Sequence, residues 1–271
     1  MRELNGLELQ GFIKERQAKQ VRNLRQQFRI APKLLIIMSE QASDVIHTYV
    51  RMKQRYAADI LIDVDIVKVT QSEMPQVIER ANADASIHGV IVQLPLDNPE
   101  QTDEICNLIA PAKDVDGLGA TAAYASATAE AIDWLLTGYN VELRDKHIVL
   151  LGHGKLVGAP LAKLWKSRGL QVTVLDEHSD RVAETLQRSD VIVSATGVPR
   201  ILKAEWVKPG AIVVDAGTAS EGGTIVGDAD ERLRERTDVM MTPAKGGVGP
   251  LTYTLLFDHV IQSALKNAGQ L

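Results

Sequence analysis

Short apolar runs of strand length alternate with helical patterns through the first half of this chain, and this alternation limits the possible folds most strongly. Ser43, a residue type that favours helix N-caps, stands directly before one helical pattern. The strand-like runs are "KLLIIM" (33–38), "IDVDIVKV" (62–69) and "IHGVIVQLP" (87–95), and the helical patterns cover 7–29, 43–57 and 73–84. The alternation predicts a mainly parallel sheet covered by helices on both faces.

A second series follows the Ala-rich connector "ATAAYASATAEAIDWLLTGYN". It opens with "KHIVLLGHGKLVGAPLAKLWKSRG", a buried strand, a Gly-rich turn and a helix. Four further strands are predicted in "QVTVLDEHS", "DVIVSATG", "GAIVVDAG" and "VMMTP". The sequence therefore predicts two α/β domains: a three-layer substrate domain over 1–122 plus 251–271, and a Rossmann-type dinucleotide-binding domain over 123–250. The last helix, 251–269, is expected to pack back on the first domain.

Composition excludes several functional classes. The 271 residues carry a net charge of −5, which disfavours nonspecific nucleic-acid binding because that needs a basic surface. No apolar run approaches the roughly 20 residues of a membrane span, and the start lacks the apolar segment of a signal peptide. Cys106 is the single cysteine, so neither a disulfide framework nor a cysteine metal cluster is expected. A cytoplasmic location follows as the expectation.

The Gly-rich turn of the second half has the spacing G-x-G-x-x-x-G, formed by Gly152, Gly154 and Gly158. In dinucleotide-binding folds such glycines permit a tight turn and a close approach of backbone to pyrophosphate, and the helix N-terminus faces the anion. The spacing is one residue longer than the usual fingerprint. A strand-to-helix turn without a ligand is the alternative interpretation.

Asp176 ends the next predicted strand, where an acid can bind both ribose hydroxyls of NAD and repel the 2′-phosphate of NADP. An ordinary turn aspartate is the alternative, and His178 and Ser179 could instead accept a phosphate, so the choice of cofactor stays open at this point. The predicted cofactor-binding residues are Gly152, His153, Gly154, Lys155, Val157, Gly158, Asp176, His178, Ser179, Ala195, Thr196, Gly197, Gly217 and Thr218.

Candidate chemical groups in the first half come from three places. Tyr49 and Lys53 share one face of the helix predicted over 43–57. Tyr-x-x-x-Lys is also the pair of short-chain dehydrogenases, but there it follows the nucleotide-binding turn, so that interpretation is rejected; a solvated helix lysine is the plain alternative. Gln93 ends a strand at the edge where open α/β sheets bind ligands. "KDVDG" (113–117) suits a metal site, a catalytic acid or a helix end.

The motifs together resemble one family. "SDVIHTYVRMKQRYA", "GVIVQLPL", "KDVDGL", "GHGKLVGAP", "WVKPGAIVVDAG", "VGDAD" and "TPAKGGVGPLT" occur in the order of the bifunctional methylenetetrahydrofolate dehydrogenase/cyclohydrolase (FolD) family, of which the chain is identified as a divergent member. The resemblance covers nearly the whole chain. It implies oxidation of 5,10-methylenetetrahydrofolate to the methenyl form with NAD(P)+, hydrolysis to 10-formyltetrahydrofolate, a homodimer and no metal.

The resemblance also implies roles for individual residues. Lys53 would be the catalytic lysine, Tyr49 would stack on the folate, Gln93 would hydrogen-bond Lys53, and Asp116 would grip the pterin; Asp114 would then be a turn or capping residue. The catalytic set is Tyr49, Lys53, Gln93 and Asp116. The substrate-binding set is Tyr49, Gln93, Leu94, Pro95, Asp116, Gly246, Gly247, Pro250 and Thr252. The Gly- and Pro-rich stretch 242–252 is expected to be a shaped loop.

Four departures from the family pattern concern ligand binding. Only Thr128 remains of the usual Pro-Cys-Thr-Pro segment, and Lys245 replaces a proline. His153 and Gly154 stand where Arg-Ser commonly follows the first glycine, which removes a partner for a 2′-phosphate and favours NAD. "SEQAS" follows the first strand in place of Val-Gly. The alternatives are a monofunctional dehydrogenase, a non-catalytic folate- or nucleotide-binding paralogue, and an amino-acid dehydrogenase of the same architecture.

Overall fold

The computed structural model describes residues 3–221 and 224–270, and the chain divides into two compact units. The first unit comprises residues 11–127 with 253–271, and the second comprises residues 1–10 with 128–252. The helices and strands, in chain order, are α1 (Gly6–Gln27), β1 (Lys33–Ser39), α2 (Asp44–Asp59), β2 (Asp63–Val69), α3 (Met74–Ala83), β3 (Gly89–Val92), α4 (Thr102–Cys106), α5 (Ala127–Gly138), β4 (Ile148–Leu151), α6 (Gly158–Ser167), β5 (Val172–Leu175), α7 (Val182–Gln187), β6 (Val191–Ser194), β7 (Ile212–Asp215), β8 (Ala219–Glu221), β9 (Thr224–Val226), α8 (Glu231–Arg234), β10 (Met240–Met241) and α9 (Val248–Asn267).

The first unit contains a parallel sheet in the order β2–β1–β3. Successive residues of a strand face opposite sides, and here both sides are covered. Val90 packs in the cluster that contains Met74 and Ile78 of α3. On the other side, a Cβ at Gly89 would lie 2.9 Å from the side chain of Val260 in α9. Helices therefore cover both faces, as the alternating sequence predicted.

The helix α2 begins where its sequence predicts. Ser43 has extended backbone angles and its hydroxyl accepts from the Ile46 N–H, which satisfies one donor of the first turn. Ile46, Val50 and Ala57 form its buried stripe. Lys53 falls in the same stripe, seven residues after Ile46, and Tyr49 borders it, so both side chains are only partly exposed.

The second unit contains a five-stranded parallel sheet in the order β5–β4–β6–β7–β10. The order reverses direction at β4, because β5 lies on one side of it and β6 on the other. Ligands of open α/β folds bind at the carboxyl ends of the strands at such a point. The Rossmann-type prediction is confirmed. The antiparallel pair β8–β9 was not predicted from the sequence.

The predicted domain limits differ from this division mainly at the N-terminus. The first ten residues belong to the second unit, since the Leu4 N–H donates to the Met241 carbonyl and a Cβ at Gly138 would lie 2.6 Å from Leu9. Such contacts between distant segments leave no local pattern in the sequence.

The prediction of a loop over the whole of 242–252 is wrong for its last residues, because α9 begins at Val248. Pro250 fits the first helical turn, where its missing N–H would have had no intrahelical partner. The remainder of α9, from Tyr253, belongs to the first unit as predicted for the last helix. Among the described helices, none is long and apolar enough to cross a membrane.

Candidate functional site

Lys53 and Gln93 meet at the carboxyl edge of the first unit's sheet. Lys53 lies on α2, and Gln93 directly follows β3. The Lys53 Nζ donates to Gln93 Oε1 at 2.7 Å, while Gln93 Nε2 donates to the Leu94 carbonyl at 3.2 Å. An ammonium group can only donate, so this arrangement fixes the amide with its oxygen toward Lys53. The predicted contact between the two residues is present.

Asp116 supplies the charge that faces this pair. Burial lowers the pKa of Lys53, and the Asp116 carboxylate opposes that effect. Burial also raises the pKa of Asp116, against the influence of Lys53 and His259 and with that of Asp114. Both side chains keep partial exposure. A lysine of lowered pKa beside an accessible carboxylate can hold or accept a proton near neutral pH.

Tyr49 lies one helical turn before Lys53 on the same face of α2. Its side chain is partly buried, and burial raises the pKa of its phenol. It therefore presents a neutral aromatic ring beside the lysine. Leu94 is partly buried and Pro95 is exposed, and the peptide bond between them is cis.

The three charged residues of "KDVDG" have different environments. The Lys113 ammonium donates to the carbonyls of Ala81, Asn82 and Asp84 at 2.6 to 3.0 Å and so caps the end of α3. Asp114 is buried.

The Asp114 carboxylate accepts from the N–H groups of Gly117 at 3.0 Å and Gly119 at 2.7 Å. The turn role expected for Asp114 is confirmed, and Asp116 alone is left accessible to a ligand. Across residues 3–221 and 224–270, no group of three or more His, Cys, Asp or Glu side chains is arranged to hold a metal ion.

The Gly-rich turn of the second unit needs glycine at two positions. Gly152 has φ +102°, and a Cβ there would lie 2.6 Å from the Ala195 carbonyl oxygen. A Cβ at Gly158, the first residue of α6, would lie 2.0 Å from the Gly152 carbonyl oxygen. At Gly154 the same test meets nothing closer than 4.0 Å. The turn thus brings the start of α6 tightly against β4, which suits a pyrophosphate at the helix N-terminus.

Between these glycines the chain is open to solvent. His153, Gly154 and Lys155 are exposed, and Val157 is partly buried. The backbone and the exposed side chains of this turn are therefore accessible to a ligand.

Asp176 follows β5 and forms a turn with its own neighbours. Its Oδ1 accepts from the Ser179 hydroxyl at 2.8 Å and from the His178 N–H at 3.0 Å. The Ser179 and His178 hydrogen bonds hold the pKa of Asp176 below its usual range. The exposed carboxylate is therefore ionised at neutral pH, although part of it serves the turn.

The predicted residues after β6 and β7 lie around a buried acid that sequence reasoning missed. Asp228 is fully buried, and its Oδ2 accepts from the Ser194 hydroxyl and the Thr196 N–H, each at 2.7 Å. A Cβ at Gly217 would lie 2.0 Å from Asp228 Oδ1. The Asp228 carboxylate is therefore hydrogen-bonded to the loop containing Ala195, Thr196 and Gly197, and it packs closely against Gly217 of the loop that also contains Thr218.

A second acid supports this arrangement. Asp215 at the end of β7 accepts from the N–H groups of Gly217 and Asp228 at 3.1 and 3.0 Å and forms an ion pair with Arg234. Asp215 lies in "VVDAG" and Asp228 in "VGDAD", two of the stretches that carry the resemblance to the family. No local sequence pattern indicated a structural role for either acid.

The segment 242–252 is held by residues near the N-terminus within the second unit. The Leu7 N–H donates to the Gly246 carbonyl at 3.0 Å, and Gln10 Nε2 donates to the Pro250 carbonyl at 2.7 Å. Gly247 is so close to Gly6 that a Cβ on Gly6 would lie 1.9 Å from its carbonyl oxygen. Thr252 is partly buried in the first turns of α9.

Comparison with known proteins gives two family matches. "Tetrahydrofolate dehydrogenase/cyclohydrolase, catalytic domain" matches residues 4–116, and "Tetrahydrofolate dehydrogenase/cyclohydrolase, NAD(P)-binding domain" matches residues 126–268. The Bifunctional protein FolD of Exiguobacterium sibiricum is 34% identical over 251 residues, which are 87% of this chain and 90% of that protein.

Two solved structures are similar over nearly the whole chain. The bifunctional FolD dehydrogenase/cyclohydrolase of Campylobacter jejuni has a TM-score of 0.91 at 30% identity and covers 98% of this chain and 99% of its own. The dehydrogenase-cyclohydrolase of Trypanosoma brucei, complexed with NADP cofactor and inhibitor, has a TM-score of 0.90 at 29% identity, covering 98% of each chain.

Proposed function

Because this chain belongs to the tetrahydrofolate dehydrogenase/cyclohydrolase family, we propose that it oxidises 5,10-methylenetetrahydrofolate with NAD(P)+ and hydrolyses the methenyl product to 10-formyltetrahydrofolate. The observation that carries the proposal is the contact of Lys53 with Gln93 beside Asp116, at the carboxyl edge of the first unit's sheet. A second unit with a dinucleotide-type turn supplies the matching half of the chemistry.

Substrate binding is assigned to the accessible polar and aromatic groups of the first unit and to the segment that begins α9. Asp116 would accept hydrogen bonds from the amino group and ring N–H of a pterin, since an ionised carboxylate is an acceptor at both oxygens. Tyr49 would stack on the folate rings with a neutral phenol. The other proposed contacts are Gln93, Leu94, Pro95, Gly246, Gly247, Pro250 and Thr252.

In the oxidation step the main task of the protein is to position the folate and the cofactor. When bound, the nicotinamide cofactor supplies the hydride acceptor. The carbon that is oxidised lies between two nitrogens, which stabilise the resulting cation, so the step needs no strong base. The residues of the first unit hold the folate, and the glycines at 152, 154 and 158 admit the pyrophosphate.

Hydrolysis requires proton transfer, and Lys53 is the group assigned to it. A neutral Lys53 takes a proton as the oxygen of water bonds to the methenyl carbon, which leaves a hydroxyl group on that carbon. The proton on Lys53 then passes to the nitrogen whose bond to the carbon breaks, and the hydroxyl proton is released to solvent as the formyl C=O forms. The lowered pKa of Lys53 supports this role, because it increases the neutral fraction near pH 7. Gln93 fixes the lysine, and its amide orientation is itself fixed by the Leu94 carbonyl.

For the cofactor we propose a preference for NAD over NADP. Asp176, with a pKa below the usual range, presents an ionised carboxylate where a 2′-phosphate would lie, and Glu177 adds a second acid. The variant Asp176→Ala should lower the ratio of kcat/KM with NAD to that with NADP. An unchanged ratio would mean that Asp176 only stabilises the turn with Ser179 and does not select the cofactor.

We also propose a homodimer formed through the second unit. Val198 and Ile225 are large apolar side chains that remain 50% and 47% exposed. Light scattering of the purified protein should give twice the chain mass of 29.6 kDa; the chain mass itself would refute the dimer. The cytoplasmic location stays a prediction.

The test of the proposed function is an anaerobic assay of purified protein with 5,10-methylenetetrahydrofolate, run separately with NAD+ and NADP+ and quenched in acid to score the methenyl form. Turnover with either cofactor is expected. No turnover in a folded protein would favour the non-catalytic paralogue, and tetrahydrofolate binding without turnover would be its signature.

A further inference from the structure

The loop that carries Asp116 is held on one side by the sheet. The Val90 N–H donates to the Lys113 carbonyl at 2.8 Å, and Val90 and Asp114 form an isolated parallel bridge. A Cβ at Gly89 would lie 2.9 Å from the methyl groups of Val115. The main chain on the N-terminal side of Asp116 therefore lies directly against β3.

On the other side the same loop receives two donors from α9. His259 Nδ1 contacts the Val115 carbonyl oxygen at 2.8 Å, and the Ser263 hydroxyl donates to the Ala112 carbonyl at 3.3 Å. The two donors are one helical turn apart, so they share a face of α9. A carbonyl oxygen only accepts, which places a proton on His259 Nδ1.

The His259 ring has little freedom to leave this position. It is 2% exposed and stacks on Tyr124, with ring centroids 4.7 Å apart and planes 20° apart. The Lys266 ammonium lies 4.8 Å from the centroid of the Tyr124 ring. The stack orients the imidazole, and the imidazole in turn fixes the carbonyl of the residue directly before Asp116.

We propose that His259 is a positioning residue of the folate site: by its hydrogen bond to Val115 it holds the Asp116 carboxylate where a pterin can be bound. The proposal rests on the proposed function, since it assigns a purpose to the Asp116 site. The electrostatics of Asp116 agree with this role for His259. Burial raises the pKa of Asp116, and Lys53 and His259 both oppose that rise, whereas Asp114 adds to it.

Two substitutions separate the hydrogen bond from the ring. His259→Leu places an apolar side chain of similar size there and removes the donor. His259→Asn retains an amide nitrogen at the same number of bonds from the main chain as Nδ1 and removes the ring. His259→Leu should raise the KM for 5,10-methylenetetrahydrofolate roughly five-fold, the effect of one neutral hydrogen bond, with the KM for NAD+ unchanged. His259→Asn should restore the folate KM to within about two-fold of wild type by the same reasoning.

His147 provides the matched control. Its Nδ1 also contacts a backbone carbonyl, that of Arg188 at 3.2 Å, but it is exposed and lies in the second unit. His147→Leu should leave the folate KM unchanged. If His259→Leu does not fold, Ser263→Ala removes the neighbouring donor with less loss of volume and should raise the folate KM in the same direction.

Binding of tetrahydrofolate, measured anaerobically by calorimetry, keeps the test independent of catalysis and should weaken in parallel with KM. A wild-type KM in His259→Leu, or an Asn variant as impaired as the Leu variant, would overturn the positioning role. Wild-type protein that neither turns over nor binds tetrahydrofolate would overturn the proposed function and this inference together. Wild-type turnover with an unaltered Leu variant would overturn this inference alone.

Discussion

Replacing Lys53 by methionine separates the two proposed reactions. Methionine has a similar length and no ammonium group, so the change removes the donor that lies 2.7 Å from Gln93 Oε1 and the positive charge beside Asp116. Loss of a positioned general base typically lowers a rate 10²- to 10⁴-fold. We expect kcat for methenyl hydrolysis to fall by about that factor.

The oxidation step should respond differently to the same change. It uses no base, so its kcat should fall less than about ten-fold. Its KM for folate should rise, because Asp116 loses the cation that opposes the rise of its pKa and is ionised in a smaller fraction of molecules.

The assay follows hydrolysis of 5,10-methenyltetrahydrofolate and, separately, NADH formation from 5,10-methylenetetrahydrofolate. Arg55→Met is the control, since Arg55 is exposed on the same helix, and both of its rates should equal wild type. Hydrolysis at the wild-type rate in Lys53→Met would refute the assigned role, and equal losses in both reactions would show that Lys53 serves binding rather than proton transfer.

Three further predictions concern the pH profile of hydrolysis, the glycine turn of the second unit and the buried Asp114 carboxylate. Because burial lowers the pKa of Lys53 and the neutral form acts, the pH profile of hydrolysis should rise with pH and reach its plateau below the usual pKa range of lysine; a rise that continues through that range would contradict this. Gly158→Ala places a methyl carbon 2.0 Å from the Gly152 oxygen and should destabilise the fold by about 1–3 kcal/mol in denaturant unfolding, whereas Gly11→Ala, with nothing within 4 Å, should be neutral or stabilising. Asp114→Ala strands the N–H groups of Gly117 and Gly119 and should cost about 2–4 kcal/mol; an unchanged melting temperature would show that the turn does not need the carboxylate.

Sequence reasoning succeeded where short patterns report directly on structure. The parallel strands, the Ser43 cap and the glycine turn all have local signatures, and each is present in the structure. The contact of Lys53 with Gln93 was expected only from the resemblance to the family, and it is present at the carboxyl edge of the sheet.

The parts that were missed depend on residues far apart in the chain. His259 lies in an apolar helix and has no local motif; its importance comes from the Val115 carbonyl, which only the fold brings near. Asp228 likewise gains its role from Ser194 and Thr196. The start of α9 was placed too late because Gly249 and Pro250 are typical of loops, although proline is well suited to a first helical turn.

The most direct test of the central claim is a single reaction of the wild-type chain with 5,10-methylenetetrahydrofolate and NAD+, in which NADH and 10-formyltetrahydrofolate are measured together against a protein-free control. We expect one protein to form both products, with 10-formyltetrahydrofolate appearing faster than uncatalysed hydrolysis of the methenyl form. NADH without accelerated 10-formyltetrahydrofolate would reduce the chain to a dehydrogenase, and neither product from folded protein, with NADP+ equally inactive, would contradict the account.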